Sequence, residues 1–172
     1  MSARVPIGIV MNGVTGRMGY RQHLVRSLLA IRESGGLPLR DGSVLWPELL
    51  LVGRSEAKLR DVATRHGLTE WTTDLGAALA RPDMRIYFDA QVTSEREKAI
   101  GLAIEAGKHI YTEKPLATTL HGAIELARSA ASTSSWPSAT DSAIGFSVKT
   151  CLPAPIALRM AFFRSVVTWA SK

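Results

Sequence analysis

The stretch Gly8-Ile9-Val10-Met11-Asn12-Gly13-Val14-Thr15-Gly16-Arg17-Met18-Gly19 decides how the chain is read. Upstream, the apolar run at residues 5–11 ends in Asn12-Gly13, which suits a buried strand. Downstream, from Arg17 to about residue 33, Met18, His23, Leu24, Leu28 and Ile31 recur at helical spacing, and Ser34-Gly35-Gly36 stops the pattern. Three glycines in G-x-x-G-x-x-G spacing join strand to helix, and each has its own physical task. Gly13 permits a tight turn, Gly16 lets a ligand approach the backbone without meeting a Cβ, and Gly19 lets the helix pack closely on the strand. The turn carrying Thr15, and the amides around Gly16, Arg17 and Met18 at the helix start, suit an anion such as a pyrophosphate. Arg17 either touches that phosphate or is an exposed first-turn residue. A glycine triplet alone is a weak signal, but a strand before it and a helix after it are what a dinucleotide-binding turn requires.

The rest of residues 1–130 continues the alternation. Residues 37–47, with Pro38, Asp41-Gly42 and Pro47, read as a loop, and 49–52 as a second buried strand. Ser55 can cap a helix over 56–66 that Gly67 closes, 71–73 is a short strand, and Asp74 can cap a helix over 75–80 that ends at Arg81-Pro82-Asp83. Residues 85–88 are strand-like, and Ser94-Glu95-Arg96-Glu97 reads as a capping box opening a helix that Gly107 stops. Another strand at 108–112 and an amphipathic helix at 120–130 follow. The expectation is an α/β chain: a Rossmann-type parallel sheet with helices on both faces over 1–130, plus an irregular C-terminal tail over 131–172. Ligands in such a sheet bind at the carboxyl ends of the strands.

Bulk properties narrow the function classes. A chain that is 46% hydrophobic and 21% charged is globular rather than disordered. Its one cysteine, Cys151, allows no intrachain disulfide, which fits a reducing compartment. No uncharged apolar stretch reaches the roughly 18 residues a membrane helix needs, and residues 7–11 are too short for a secretory leader, so a cytoplasmic protein without a membrane partner is expected. The net charge of +6 comes without a dense Lys/Arg run interleaved with aromatics, so we read an anionic cofactor rather than nucleic acid as its complement.

In a Rossmann domain a carboxylate at the tip of the second strand binds the adenosine ribose 2′-OH and repels a 2′-phosphate. Here the tip reads Val52-Gly53-Arg54-Ser55. A guanidinium and a hydroxyl suit a 2′-phosphate, which favours NADP, while Glu56, one residue on, leaves NAD possible.

The most specific stretch is Glu105-Ala106-Gly107-Lys108-His109-Ile110-Tyr111-Thr112-Glu113-Lys114-Pro115-Leu116-Ala117-Thr118-Thr119. A lysine at the carboxyl end of a central strand can hydrogen-bond a hydroxyl or carbonyl and move a proton as hydride moves. Together with the glycine turn, this stretch resembles the glucose–fructose oxidoreductase / inositol dehydrogenase (Gfo/Idh/MocA) family. The likeness covers residues 5–130 and is carried by 12–19, 52–67 and 105–119. It implies an NAD(P)-dependent oxidoreductase acting on CH–OH groups of small-molecule sugars, inositols or related polyols. By the same resemblance Lys114 is the active-site acid/base, Glu113 lies near the nicotinamide ribose, and no residue is assigned to a metal. Where the family often has a Thr-Pro-Asn-like turn and then a histidine, this chain has Gln91-Val92-Thr93 and then Arg96. Thr93 can still face the nicotinamide, but a guanidinium cannot replace a neutral imidazole as a proton acceptor.

Family enzymes also carry a second α+β domain that binds substrate and brings a catalytic Asp and His. The histidines here are His23, His66, His109 and His121, none beyond 121. His109 reads as strand packing and His121 as a first-turn helix residue. Residues 131–172 are expected to be an atypical tail, truncated or frameshifted in place of that domain, with a genuine short protein as the alternative. On that expectation the isolated chain is incomplete as an enzyme. A non-catalytic dinucleotide-binding module is the alternative function. Dihydrodipicolinate reductase has a similar glycine turn, but Glu113-Lys114-Pro115 argues against that kinship. The oligomeric state is not legible.

Overall fold

Odd and even strand positions face opposite ways, and that alternation builds two cores, one on each face of a sheet. The computed structural model describes residues 3–132. Strand β1 (Arg4–Asn12) runs parallel to β3 (Val44–Val52) on one side and to β5 (Met84–Asp89) on the other. β6 (His109–Thr112) pairs in parallel with β5. On the outer side of β3, β2 (Leu37–Pro38) pairs antiparallel near its start and β4 (Trp71–Thr72) pairs parallel near its end. The order is therefore β2-β3-β1-β5-β6, with β4 also on β3.

Among the described residues five helices cover this sheet. The first, α1, joins a π-helical segment (Gly19–Leu29) to an α-helical one (Ala30–Glu33). The others are α2 (Glu56–Arg65), α3 (Leu75–Ala80), α4 (Thr93–Glu105) and α5 (Leu120–Ser132). On one face Ile9, Met11, Leu51 and Phe88 pack with Leu24 and Leu28 of α1 and Leu59 of α2. On the other, Val10, Leu50 and Tyr87 pack with Leu79 of α3, Ile100 of α4 and Leu126 of α5. Full burial of each such Leu or Ile contributes about 1.5–3 kcal/mol, so the sheet is held from both sides.

The helix punctuation follows local chemistry. Gly67 and Gly107 take φ of +61° and +66°, the left-handed conformation in which helices commonly end. The Ser55 hydroxyl accepts the Lys58 amide at 3.5 Å, and Asp74 Oδ1 accepts the Ala77 amide at 2.9 Å. Both are the expected N-caps. The Rossmann-like α/β fold with helices on both faces is as the sequence predicts.

The fold corrects three expectations. Residues 37–47 are not a loop. β2 and the start of β3 form an antiparallel hairpin around Asp41-Gly42, where Asp41 Oδ1 accepts the Ser43 amide at 2.9 Å and Gly42 has φ +83°. The sheet is accordingly mixed rather than wholly parallel. The Pro47 carbonyl accepts from Arg32 Nε at 2.8 Å on the outer side of β3, between the parts that β2 and β4 cover. A strand residue's N–H and C=O point the same way, so the missing N–H of Pro47 breaks no ladder bond. Third, the capping box at Ser94 does not form. α4 starts two residues earlier than that box would place it, at Thr93, with Val92 at its cap and no side-chain cap bond. The Glu97 carboxylate instead accepts the Thr118 amide at 2.7 Å and the Thr118 hydroxyl at 2.8 Å.

Among the described residues no helix is long and apolar enough to cross a membrane. α5 runs on through Ala131 and Ser132. The rest of the expected tail, with Cys151, lies outside the described residues.

Candidate functional site

The glycine turn leaves the carboxyl end of β1 beside the ends of β3 and β5. Gly13 takes φ +80°, and its amide donates to the Val52 carbonyl at 3.2 Å. A Cβ there would lie 2.6 Å from Ala90 C, so the turn is pressed against the chain leaving β5. A Cβ on Gly19 would lie 2.5 Å from the Gly13 carbonyl oxygen, which is why α1 can pack so closely on the turn. Gly16 differs: its Cβ would meet only the Gly13 oxygen, at 3.4 Å. The protein's own packing therefore does not demand glycine at Gly16, whereas a pyrophosphate approaching the backbone would. Arg17 is exposed in the first helical turn and Met18 half-buried. Thr15 sits beside the β3 tip: its methyl would lie 3.8 Å from a Cβ on Gly53. At that tip Arg54 is exposed while Ser55 caps α2.

Across β1, the ends of β5 and β6 carry the second group. The Glu113 amide donates to the Asp89 carbonyl at 3.1 Å, continuing the β5–β6 pairing. The Glu113 carboxylate hydrogen-bonds His23 Nε2 on α1, and its side chain is only 12% exposed. That bond holds the Glu113 carboxyl below the usual carboxylate range against the opposing effect of burial. The His23 ring packs on Phe88 at 4.6 Å and meets Tyr111 edge-on at 6.0 Å, so a stacked aromatic set orients it. Lys114 follows, exposed, and is joined to Pro115 by a cis bond. An ammonium free in the solvent beside a fixed carboxylate can hydrogen-bond a hydroxyl or carbonyl and exchange a proton with it. Thr93 is the first residue of α4, on the turn above β5.

Beneath this edge runs a buried polar chain. Asn12 Nδ2 donates to the Tyr87 hydroxyl at 2.9 Å, which donates to Asp89 Oδ1 at 3.1 Å. Arg96 Nε donates to Asp89 Oδ2 at 2.6 Å, one terminal nitrogen to the Gln91 carbonyl at 2.7 Å, and the other to the Pro115 carbonyl. Burial pushes the Asp89 carboxyl up, and the Arg96 guanidinium counters it. Gln91 Oε1 is buried without a hydrogen-bond partner.

Arg54-Ser55, the glycine turn, Thr93 and Glu113-Lys114, all expected at one edge on the sequence reading, lie along it in that order, at the ends of β3, β1, β5 and β6. His23 counted only as part of a helix pattern in that reading, and Arg96 only as a departure from the family. Their one visible signal is polarity in apolar surroundings: a histidine on the buried face of α1, and Asn12 and Asp89 ending apolar strands. His121 is exposed in the first turn of α5, and His66 hydrogen-bonds Tyr20 Oη at 2.9 Å. Among the described residues no group of His, Cys, Asp and Glu is placed to hold a metal ion.

A dinucleotide fits these residues. The open side of Gly16 and the helix-start amides suit a pyrophosphate, and the orphaned Gln91 oxygen marks unfilled polar demand at the other half of the edge. Residues 7–136 match the model of an oxidoreductase family with an NAD-binding Rossmann fold, Gfo/Idh/MocA. The chain belongs to that family. Curated proteins similar to this chain include a D-xylose dehydrogenase from Paenarthrobacter nicotinovorans, 52% identical over 128 residues, which are 74% of this chain and 33% of that protein. The chain thus spans about a third of that curated relative. A levoglucosan dehydrogenase solved with NADH and levoglucosan shares the fold at TM-score 0.62 and 22% identity, over 75% of this chain and 33% of that one. A 3-ketoreductase from Actinomadura kijaniata, solved with NADP and TDP-benzene, shares it at TM-score 0.56 and 22% identity, over 73% of this chain and 35% of that one.

Proposed function

We propose that this Gfo/Idh/MocA chain carries the cofactor half of an oxidoreductase acting on CH–OH groups of sugars or related polyols, with NADP favoured over NAD. The observation that carries the reading is the ordered edge: Gly16 open to a pyrophosphate, Arg54 exposed at the β3 tip, and Lys114 exposed at the end of β6. Thr15, Gly16, Arg17 and Met18 would hold the pyrophosphate, with Gly13 and Gly19 shaping the turn. Arg54 and Ser55 would face the adenosine ribose and its 2′-phosphate, and Thr93 and Glu113 the nicotinamide half. The bound dinucleotide supplies hydride chemistry at the nicotinamide ring. Lys114 Nζ would hydrogen-bond the reacting oxygen and move its proton. The D-xylose and levoglucosan dehydrogenases among its relatives support a sugar as substrate.

Titration of NADPH fluorescence with the purified chain should saturate, and NADPH should bind more tightly than NADH. Arg54→Asp should weaken NADPH by roughly tenfold and NADH by less than threefold, since one charge-assisted phosphate contact is at stake. Equal losses would remove the case for NADP. Turnover assays with D-xylose, inositol and glucose test the enzymatic part. The cofactor half alone is expected to bind NADPH with little or no turnover of these sugars, and robust polyol oxidation by this chain would contradict that reading.

A further inference from the structure

Arg96 is the most heavily engaged side chain at the carboxyl edge. It is 2% exposed, and its planar fork reaches three acceptors on three segments: Asp89 at the end of β5, Gln91 on the turn into α4, and Pro115 after β6. The fork is itself held, because Asp89 takes the Tyr87 hydroxyl at 3.1 Å and Thr112 Oγ1 at 3.5 Å, and Tyr87 takes Asn12. One guanidinium thus ties the Gln91–Thr93 turn to the Lys114–Pro115 turn through the ends of β1, β5 and β6. A lysine, with one ammonium on a flexible stem, cannot span three acceptors in a plane.

We propose that Arg96 is a positioning residue for the nicotinamide half of the cofactor site, fixing the spacing between the turn that bears Thr93 and the turn that bears Lys114. This rests on the dinucleotide reading given above. Arg96 itself touches neither cofactor nor substrate, being buried with its nitrogens engaged. It makes no bond to the glycine turn or to the β3 tip, where the pyrophosphate and adenosine would sit. Its own bonds all lie in one half of the edge, so its loss is expected to fall more heavily on the nicotinamide half of the ligand than on the pyrophosphate half, which a role in overall stability would not produce.

The test compares NADPH with 2′-phospho-ADP-ribose, which keeps both phosphate regions and lacks the nicotinamide ring. Two variants of the full chain are made: Arg96→Lys, and the double change Asp89→Asn with Arg96→Gln, which leaves no buried charge unpaired. We expect both variants to bind 2′-phospho-ADP-ribose within twofold of the wild type and NADPH about tenfold more weakly, because the ring then has to order its own walls. Hydrogen exchange on the wild type gives a readout independent of any variant's folding: NADPH, but not 2′-phospho-ADP-ribose, should protect residues 91–97 and 113–118. Equal losses for both ligands, unchanged NADPH affinity in a folded variant, or equal protection by both ligands would overturn the proposal. A wild-type chain that binds neither ligand overturns the dinucleotide reading, and the positioning role with it.

Discussion

One methyl group separates the two kinds of glycine in the turn. On Gly19 it would sit 2.5 Å from a backbone oxygen that cannot move without opening the turn, whereas on Gly16 it would have one neighbour at 3.4 Å. Gly19→Ala should therefore cost roughly 1–3 kcal/mol of stability through overpacking, read as a lower urea midpoint. Gly16→Ala should cost less than about 1 kcal/mol, yet weaken NADPH by tenfold or more. If Gly16→Ala left the cofactor affinity intact, the pyrophosphate would have to be placed elsewhere. The glycine spacing was readable because each task belongs to a single residue's backbone. The bond from His23 to Glu113, 90 positions apart, was not, because nothing local to either residue requires the other.

At the scale of elements, caps that close within three residues were legible and those that depend on another element were not. Ser55 and Asp74 accept amides three residues ahead and cap as expected. Ser94-Glu95-Arg96-Glu97 carries the same pattern, but Glu97 is taken by Thr118, in the loop that leads to α5. A Cβ on Gly122 would lie 2.8 Å from the Glu97 carboxylate, so α5 approaches α4 at that point. Ser94→Ala should accordingly leave the melting temperature unchanged. Glu97→Ala should lower it and speed hydrogen exchange at Thr118. The reverse outcome would restore the capping box. Strand β3 teaches the same lesson: Pro47 argued for a loop, and only the bare outer side of β3 at that point makes a proline harmless within a strand.

For the whole molecule, the His23–Glu113 bond links α1 to the end of β6 and gives stability a pH dependence. The folded-state value of Glu113 lies below its unfolded value of 4.5, so the ionised form is favoured by folding. The bond's contribution is therefore complete above pH 4.5 and is lost as pH falls through the folded-state value. Glu113→Gln should be less stable than the wild type at pH 7, and the two unfolding curves should converge in acid. A constant difference down to the acid transition would contradict the assignment. The sequence by itself determined the α/β alternation, the glycine turn, the helix stops and the positions of Arg54 and Lys114 along the chain, because periodicity and backbone conformation are encoded within a few neighbouring residues. Only the tertiary structure decided the mixed edge of the sheet, the partners of His23 and Glu97, and the Arg96 fork beneath the site. The bonds of His23, Glu97 and Arg96 join segments far apart in the chain, and where such a group is buried it must be satisfied by whatever partner the fold brings to it.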